Sequence, residues 1–168
     1  MHEEYREIEG FPGYEVSDHG NVRNMTTGRV LKPVKDSIGY EKVNLCNNFK
    51  KASSMRIHRL VALSFLIKPE GKEYVDHINN NKTDNRLENI RWCSNKENMQ
   101  NQKIRKNNTS SAKGVSYNTR KNRWETYIQA NGKKTRIGYF KNLDDAIIAR
   151  KAKANELFGE FTHNCEKI

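Results

Sequence analysis

The sequence predicts an α+β protein made of small modules. Hydrophobic residues account for 35% of its 168 residues, too few for one large core. Near both ends, short alternating stretches of hydrophobic and polar residues are separated by turn formers, a pattern typical of small antiparallel sheets. Residues 56–66 and 142–158 instead show hydrophobic residues at helical spacing. The predicted modules are a small antiparallel β-module (1–50), a strand–loop–strand–helix centre (51–104), a basic linker (105–112) and a three-stranded sheet with a helix (113–168).

The chain carries a net charge of +11, from 31 Lys and Arg against 20 Asp and Glu. This excess attracts phosphate, so nucleic acid is the expected partner. A membrane surface also attracts cations, but no apolar run approaches the roughly 20 residues that cross a bilayer. The polar, acidic start of the chain differs from a signal peptide. We therefore expect a cytoplasmic protein that does not associate with membranes.

The three cysteines, Cys46, Cys93 and Cys165, are far apart and odd in number. This pattern predicts neither a disulfide framework nor a zinc knuckle. A reducing, intracellular compartment is the simplest interpretation.

The first 50 residues combine strand patterns with closely spaced turns. Residues 14–16 and 39–45 read as strands, and Pro12-Gly13 and Thr27-Gly28 read as turns. The order GFPGYEVSDHGNVRNMTTGRVLKP resembles the NUMOD4 module, which is found ahead of nuclease domains in mobile-element endonucleases. This resemblance leaves open whether the module contacts DNA or has only a structural role.

Residues 56–66 predict a short buried helix, which Pro69 and Gly71 follow as breakers. His58 lies beside its apolar face, where a structural role is expected rather than a ligand role. The chain then reads as strand, polar loop, strand and helix. Asp76 and Asn98 offer hard oxygen ligands to a divalent cation, and His77 has the side chain that titrates near neutral pH. A metal and a base together suggest hydrolysis of a nucleic-acid phosphodiester.

The segment VDHINNNKTDNRLENIRW, followed by NKEN, resembles the HNH endonuclease family, whose fold is the ββα-metal finger. Eleven residues separate His77 from Asn89, and eight separate Asn89 from Asn98. The resemblance implies two catalytic residues: His77 as general base and Asn89 as the brace that positions it. It implies that Asp76 and Asn98 hold one Mg²⁺ or Mn²⁺. Arg91 is a candidate contact to the scissile phosphate, with a packing role equally open.

The segment lacks the paired cysteines of the zinc-ribbon members of this family. It is similar instead to the intron-encoded and phage homing branch. Its last position is an Asn, a weaker ligand than His, so the resemblance implies a loosely bound metal that the DNA phosphate helps to hold.

Residues 113–168 predict three hairpin-linked strands and an amphipathic helix that begins after Asn142 and ends before Gly159. A helix on one side of such a sheet leaves the other side free. The segment resembles the AP2 DNA-binding domain over nearly its whole length, and in that family the sheet lies in the major groove. The resemblance implies these DNA-facing residues: Lys113, Ser116, Asn118, Arg120, Tyr127, Gln129, Lys134 and Arg136.

Together these features predict a metal-dependent HNH DNA endonuclease of the homing type, which hydrolyses phosphodiester bonds in double-stranded DNA. We expect a monomer or weak dimer on DNA, with the flanking modules selecting the site. The alternative is an AP2-like DNA-binding regulator with a vestigial nuclease centre. Intact candidate ligands and base argue against that alternative. An RNA-binding protein is disfavoured because the predicted sheet lacks the exposed aromatic pair that stacks unpaired bases.

Overall fold

A computed structural model describes residues 2–47, 49, 51–101, 104 and 108–167. The chain forms two compact units, residues 1–95 and 96–168. Of the predicted basic linker 105–112, residues 105–107 lie outside the described residues. None of the described helices is long and apolar enough to cross a membrane.

The first half of unit one contains two antiparallel three-stranded sheets. Their strands, in pairing order, are β1 (Tyr5–Glu7), β2 (Tyr14–Ser17) and β3 (Val22–Asn24), then β4 (Val34–Lys35), β5 (Glu41–Cys46) and β6 (Ala52–Arg56). The sequence predicted one small sheet ending before residue 50. The second sheet extends beyond that point because β5 pairs with β6, from Lys42 opposite Arg56 to Cys46 opposite Ala52.

Helix α1 (Ile57–Phe65) follows β6 directly and confirms the predicted short helix. The two-stranded sheet of β7 (Tyr74–His77) and β8 (Ile90–Cys93) comes next, with a 3₁₀ turn at Leu87–Asn89, and helix α2 (Asn95–Gln100) ends the series. The predicted order of strand, loop, strand and helix is therefore confirmed.

One hydrophobic core serves the whole of unit one. Val16 and Leu45 from the N-terminal sheets pack in the same cluster as Leu60 of α1, Val75 of β7 and Trp92 of β8. Each of these side chains is at most 8% exposed. Burial of apolar surface is the main stabilising term in folding. The segments on either side of residue 50 therefore stabilise one another.

Unit two confirms the predicted three strands and helix. The strands β9 (Val115–Asn118), β10 (Arg123–Ala130) and β11 (Lys133–Phe140) pair antiparallel with β10 in the middle, and helix α3 (Leu143–Phe158) packs on one face. Ile128 of β10 and Ala154 and Phe158 of α3 form the core. On the same helix Leu157 is 44% exposed, whereas Arg150 is buried.

Gly114 holds the start of the sheet in unit two close to β10. Its φ is +64°, its carbonyl accepts a hydrogen bond from the Tyr127 amide at 2.8 Å, and a Cβ there would lie 2.2 Å from the Tyr127 carbonyl oxygen. Gly132 has a similar φ of +75° but open space around it. Of these two glycines, Gly114 is the one that combines a left-handed backbone with a forbidden contact.

We predict that Gly132→Ala lowers the free energy of unfolding by about 1 kcal/mol, from left-handed strain alone. Gly114→Ala should cost at least about 3 kcal/mol, because overpacking against backbone adds to that strain. Urea unfolding in a Trp92→Phe background, where Trp124 reports unit two, measures both variants. Equal losses in the two variants would contradict the predicted close approach.

Candidate functional site

The β7–β8 hairpin brings the candidate residues of unit one together. Asp76 pairs with Arg91 and His77 pairs with Ile90 in the antiparallel register. Because successive side chains on a strand point to opposite faces, Asp76 and His77 meet different neighbours. The chain turns just after His77, where the Asn80 amide donates to the His77 carbonyl at 2.9 Å and Asn80 has a φ of +59°.

His77 is 3% exposed and is held by a polar chain. Its Nε2 lies 3.3 Å from Asn85 Oδ1, and Asn85 Nδ2 donates to Glu41 Oε2 at 2.8 Å. Since the Asn85 amide nitrogen donates to Glu41, its oxygen faces His77 and assigns the ring N–H to Nε2. Burial lowers the pKa of His77 below its usual value, partly offset by the Asn85 contact. At neutral pH the ring is therefore uncharged, as a general base requires.

Two further aromatic rings pack against His77. The ring centroid of His58 lies 4.9 Å from that of His77, and Tyr40 lies 4.9 Å from His58 and 5.7 Å from His77. His58 Nδ1 has no hydrogen-bond partner within the described part of the chain. Burial, aided by repulsion from His77, lowers the pKa of His58 to about 3. His58 is thus a neutral packing residue, as its position beside the apolar helix face suggested.

Asp76 forms an ion pair with Arg91 across the hairpin. Arg91 Nη2 and Nε lie 2.9 and 3.2 Å from Asp76 Oδ2. The Arg91 side chain is 12% exposed and the Asp76 side chain is 8% exposed. A buried carboxylate needs such a partner because desolvation of an isolated charge is costly. The structure therefore assigns Arg91 a contact with Asp76; its predicted phosphate contact stays a prediction.

The buried Asn89 side chain closes the loop between the two strands. Asn89 Oδ1 accepts from the Asn79 amide at 2.9 Å, and Asn89 Nδ2 donates to Asn79 Oδ1 at 3.0 Å and to the Asp84 carbonyl at 2.8 Å. Asp84 is itself bound by Arg86, whose hydrogen bonds lower the Asp84 pKa to about 2. These contacts are those of a loop brace, the role that the sequence resemblance implied for Asn89.

The donor chemistry around Asp76 suits a hard, oxygen-preferring cation. Asp76 offers a carboxylate, and the second ligand that the sequence predicts, Asn98, half-buried on α2, has an amide oxygen. Across the described residues no group of three His, Cys, Asp or Glu side chains is placed to hold a metal. Such an ion would therefore depend on amide, water and phosphate oxygens. Asn98 belongs to unit two, so its pairing with Asp76 stays a prediction.

In unit two, strand alternation separates a buried face from an exposed face. Thr126 and Ile128 of β10 face the helix and are buried, so Tyr127 and Gln129 face outward. Their cross-strand partners are Arg136 and Lys134 on β11. Ser116 and Asn118 lie opposite the outward positions of β10, and Arg120 lies in the turn before it. Seven of the eight predicted DNA-facing residues thus lie on this outer face or its adjoining turn.

Lys113 is the exception, and its predicted place on the outer face is corrected. Its Nζ lies 3.6 Å from Glu166 Oε2 and donates to the Gln100 carbonyl at 3.2 Å, with the side chain 16% exposed. Burial lowers the pKa of Lys113. Arg150 Nη1 lies 2.8 Å from the same Glu166 carboxylate. Glu166, which follows helix α3 in the chain, therefore holds Lys113. No local sequence pattern predicts this contact.

Sequence reasoning also missed the residues that surround His77. Tyr40 and Glu41 precede it by more than 30 positions, and no spacing rule connects them to it. Asn85 stands in the asparagine-rich loop, so composition marked its segment but not its contact. The missing information is tertiary, because these contacts form only when the N-terminal sheets and the hairpin share one core.

Comparison with known proteins is consistent with this geometry. Residues 3–46 match the sequence model of the NUMOD4 motif, and residues 56–100 match that of the HNH endonucleases. These two segments cover more than half of the chain. The chain therefore carries an HNH endonuclease segment at residues 56–100 and a NUMOD4 motif ahead of it.

Particular relatives are viral. The chain is 45% identical over 95 residues to the uncharacterized HNH endonuclease L247 of Acanthamoeba polyphaga mimivirus, covering 55% of this chain and 24% of that one. It is 32% identical over 154 residues to L245 of the same virus, covering 90% and 44%. It is 37% identical over 105 residues to DNA endonuclease I-HmuI of Bacillus phage SP01, covering 61% and 59%. The chain thus spans less than two thirds of each of these relatives.

A solved structure also matches. It is described as DNA binding and cleavage by the HNH homing endonuclease I-HmuI, and it aligns with a TM-score of 0.54 at 36% identity. The alignment covers 59% of this chain and 57% of that one. The mixed α+β fold with small antiparallel sheets is therefore that of an HNH homing endonuclease. HNH nucleases generally depend on a divalent metal.

The low pKa of His58 predicts a pH-dependent stability of unit one. In the unfolded chain His58 binds a proton below about pH 6.5, whereas in the folded chain it does so only below about pH 3. Falling pH therefore favours unfolding, and this residue alone should remove about 2 kcal/mol between pH 7 and pH 5.

His58→Phe keeps a ring in the aromatic cluster and should reduce the stability loss between pH 7 and pH 5 by about that amount. Urea unfolding at both pH values in a Trp124→Phe background, where Trp92 reports unit one, measures it. Exposed His19, changed to Gln, is the matched control and should lose stability as the native chain does. A His58→Phe protein with the full native loss would contradict the assignment of a buried neutral ring.

Proposed function

We propose that the chain is a divalent-metal-dependent endonuclease that hydrolyses phosphodiester bonds in double-stranded DNA. The observation that carries the proposal is a buried, neutral His77 next to Asp76 on a hairpin whose loop Asn89 closes. The match of residues 56–100 to the HNH endonucleases and the similarity to I-HmuI, described by its DNA binding and cleavage, support it. Retention of Asp76, His77, Asn89 and Asn98 favours this function over that of a DNA-binding regulator.

In the proposed reaction His77 accepts a proton from the attacking water. The water oxygen bonds to phosphorus, the bond from phosphorus to the 3′ oxygen breaks, and that oxygen takes a proton from solvent. His77 then returns its proton to solvent. The products are a 5′ phosphate and a 3′ hydroxyl. The lowered pKa of His77 keeps the ring ready to accept a proton at neutral pH. Asn85 orients the ring, and Asn89 positions the strand end that carries it.

Asp76 and Asn98 would hold one Mg²⁺ or Mn²⁺. The ion would supply positive charge to offset the charge that develops on the phosphate. A site with one carboxylate and one amide binds such an ion weakly, so the DNA phosphate would complete it. Arg91, ion-paired with Asp76, fixes the orientation of that carboxylate and adds a positive charge beside it.

Selection of the site is assigned to the flanking parts of the chain. The sequence of residues 113–168 resembles that of AP2 DNA-binding domains, and we propose that the outer face of unit two lies in the major groove. Its proposed contacts are Ser116, Asn118, Arg120, Tyr127, Gln129, Lys134 and Arg136. Lys113 is left out because Glu166 and the Gln100 carbonyl engage it. We propose a monomer or weak dimer on DNA.

Duplex DNA suits this face better than unpaired RNA. Two tyrosines do lie on it, Tyr127 and Tyr139, in contrast to the expectation from sequence. However, Lys134 Nζ lies 3.6 Å from the Tyr127 ring centroid and Lys121 Nζ lies 4.0 Å from that of Tyr139. Rings covered by cations present charge to a phosphate backbone and are not available to stack bases.

We predict that His77→Ala abolishes Mg²⁺-dependent nicking of supercoiled plasmid, by at least about 10²-fold, because loss of a general base costs about that much. Gel retardation of duplex DNA in EDTA should be unchanged, since the proposed contacts lie elsewhere. The exposed His19→Ala is the matched control and should nick as the native chain does. Undiminished nicking by His77→Ala, in a preparation free of other nucleases, would overturn the assignment of the base.

A further inference from the structure

A carboxylate lies at the centre of the basic outer face of unit two. Glu125 is on the middle strand, opposite Ser116 on β9 and Tyr139 on β11. Its side chain is 22% exposed. A face that only bound phosphates would gain nothing from this group, because a negative charge repels the DNA backbone. The position of Glu125 therefore requires another explanation.

Three donors from both neighbouring strands converge on Glu125. Arg136 Nε donates to Oε1 at 2.7 Å, Tyr139 hydroxyl to the same oxygen at 3.4 Å, and Asn118 Nδ2 to Oε2 at 3.2 Å. The Arg136 guanidinium also lies 5.1 Å from the Tyr139 ring centroid. These hydrogen bonds, that of Arg136 first, lower the pKa of Glu125, which stays ionised at neutral pH.

The contact with Glu125 fixes the orientation of the Arg136 guanidinium and leaves its two terminal amino groups as a fork of hydrogen-bond donors. It uses Nε, so the edge formed by the two terminal amino groups takes no part in this hydrogen bond, and the side chain is 59% exposed. A fixed planar fork of two donors matches the O6 and N7 acceptors of guanine in the major groove. A phosphate contact needs no such fixation, since any nearby cation can make one.

We propose that Glu125 is a positioning residue that fixes Arg136 to read a guanine edge, so that this pair gives the outer face its sequence preference. The inference rests on the proposed binding of double-stranded DNA. Glu125 acts through Arg136, and its charge also weakens attraction to the backbone of any other sequence. Surrounding cations such as Lys134 supply affinity that does not depend on sequence.

The test begins with selection of duplexes from a randomised pool by the full chain in EDTA, which prevents cleavage. Competition binding then compares the selected duplex with one in which each guanine in turn is replaced by adenine. The variants are Glu125→Gln, which removes the charge, and Arg136→Lys, which keeps the charge but lacks the fork. Glu156→Gln is the matched control, because it removes an exposed, Lys153-paired carboxylate on the helix.

The native chain and Glu156→Gln should prefer guanine at one position by about 10-fold or more, as a bidentate contact gives. Both Glu125→Gln and Arg136→Lys should reduce that preference to below about 3-fold. Glu125→Gln should also bind unselected duplex at least as tightly as the native chain, a gain that mere loss of folding would not give.

Retention of the guanine preference by Glu125→Gln, or an equal fall in affinity for selected and unselected duplexes, would overturn the proposal. If the native chain binds duplexes but prefers guanine at no position, the proposal is overturned while the proposed DNA binding stands. Failure of the native chain to retain any duplex would instead overturn the proposed DNA binding, and this inference with it.

Discussion

The geometry of the candidate site depends on the hydrogen bonds of one buried amide, that of Asn89. A buried amide must find partners or lose several kcal/mol of stability. Asn89 finds them in Asn79 and in the Asp84 carbonyl. These bonds close the loop between the two strands of the hairpin and hold the end of β7, where His77 lies. The base position thus depends on a residue twelve places beyond it in the chain.

Burial then sets the electrostatics of the site. His77 and His58 are neutral because desolvation disfavours their charged forms. Close by, the Asp76 carboxylate is paired with Arg91. A neutral base beside a paired carboxylate is the arrangement that metal-assisted hydrolysis needs at neutral pH. It exists here because the N-terminal sheets cover the hairpin, so the NUMOD4 segment contributes to the site through packing, whether or not it contacts DNA.

Local sequence patterns made most helices and strands predictable, but they did not make the long-range contacts predictable. Alternation and helical spacing predicted the hairpin, α1 and the sheet and helix of unit two. They could not predict that Asn85 bridges to Glu41, 44 positions away, or that Glu166 returns to hold Lys113. Such pairs have no periodicity, because either partner alone looks like a surface residue. The spacing of the HNH residues was informative because the chemistry itself fixes it.

Attack of water on phosphorus, with departure of the 3′ oxygen, is the chemical step that the proposed function requires. A single turnover of native chain on a duplex in H₂¹⁸O with Mg²⁺, followed by mass spectrometry of both new ends, tests it most directly. One ¹⁸O atom should appear in the 5′ phosphate and none at the 3′ hydroxyl, because attack on phosphorus breaks its bond to the 3′ oxygen. Label at the 3′ end, or intact DNA with both Mg²⁺ and Mn²⁺, would contradict the claim.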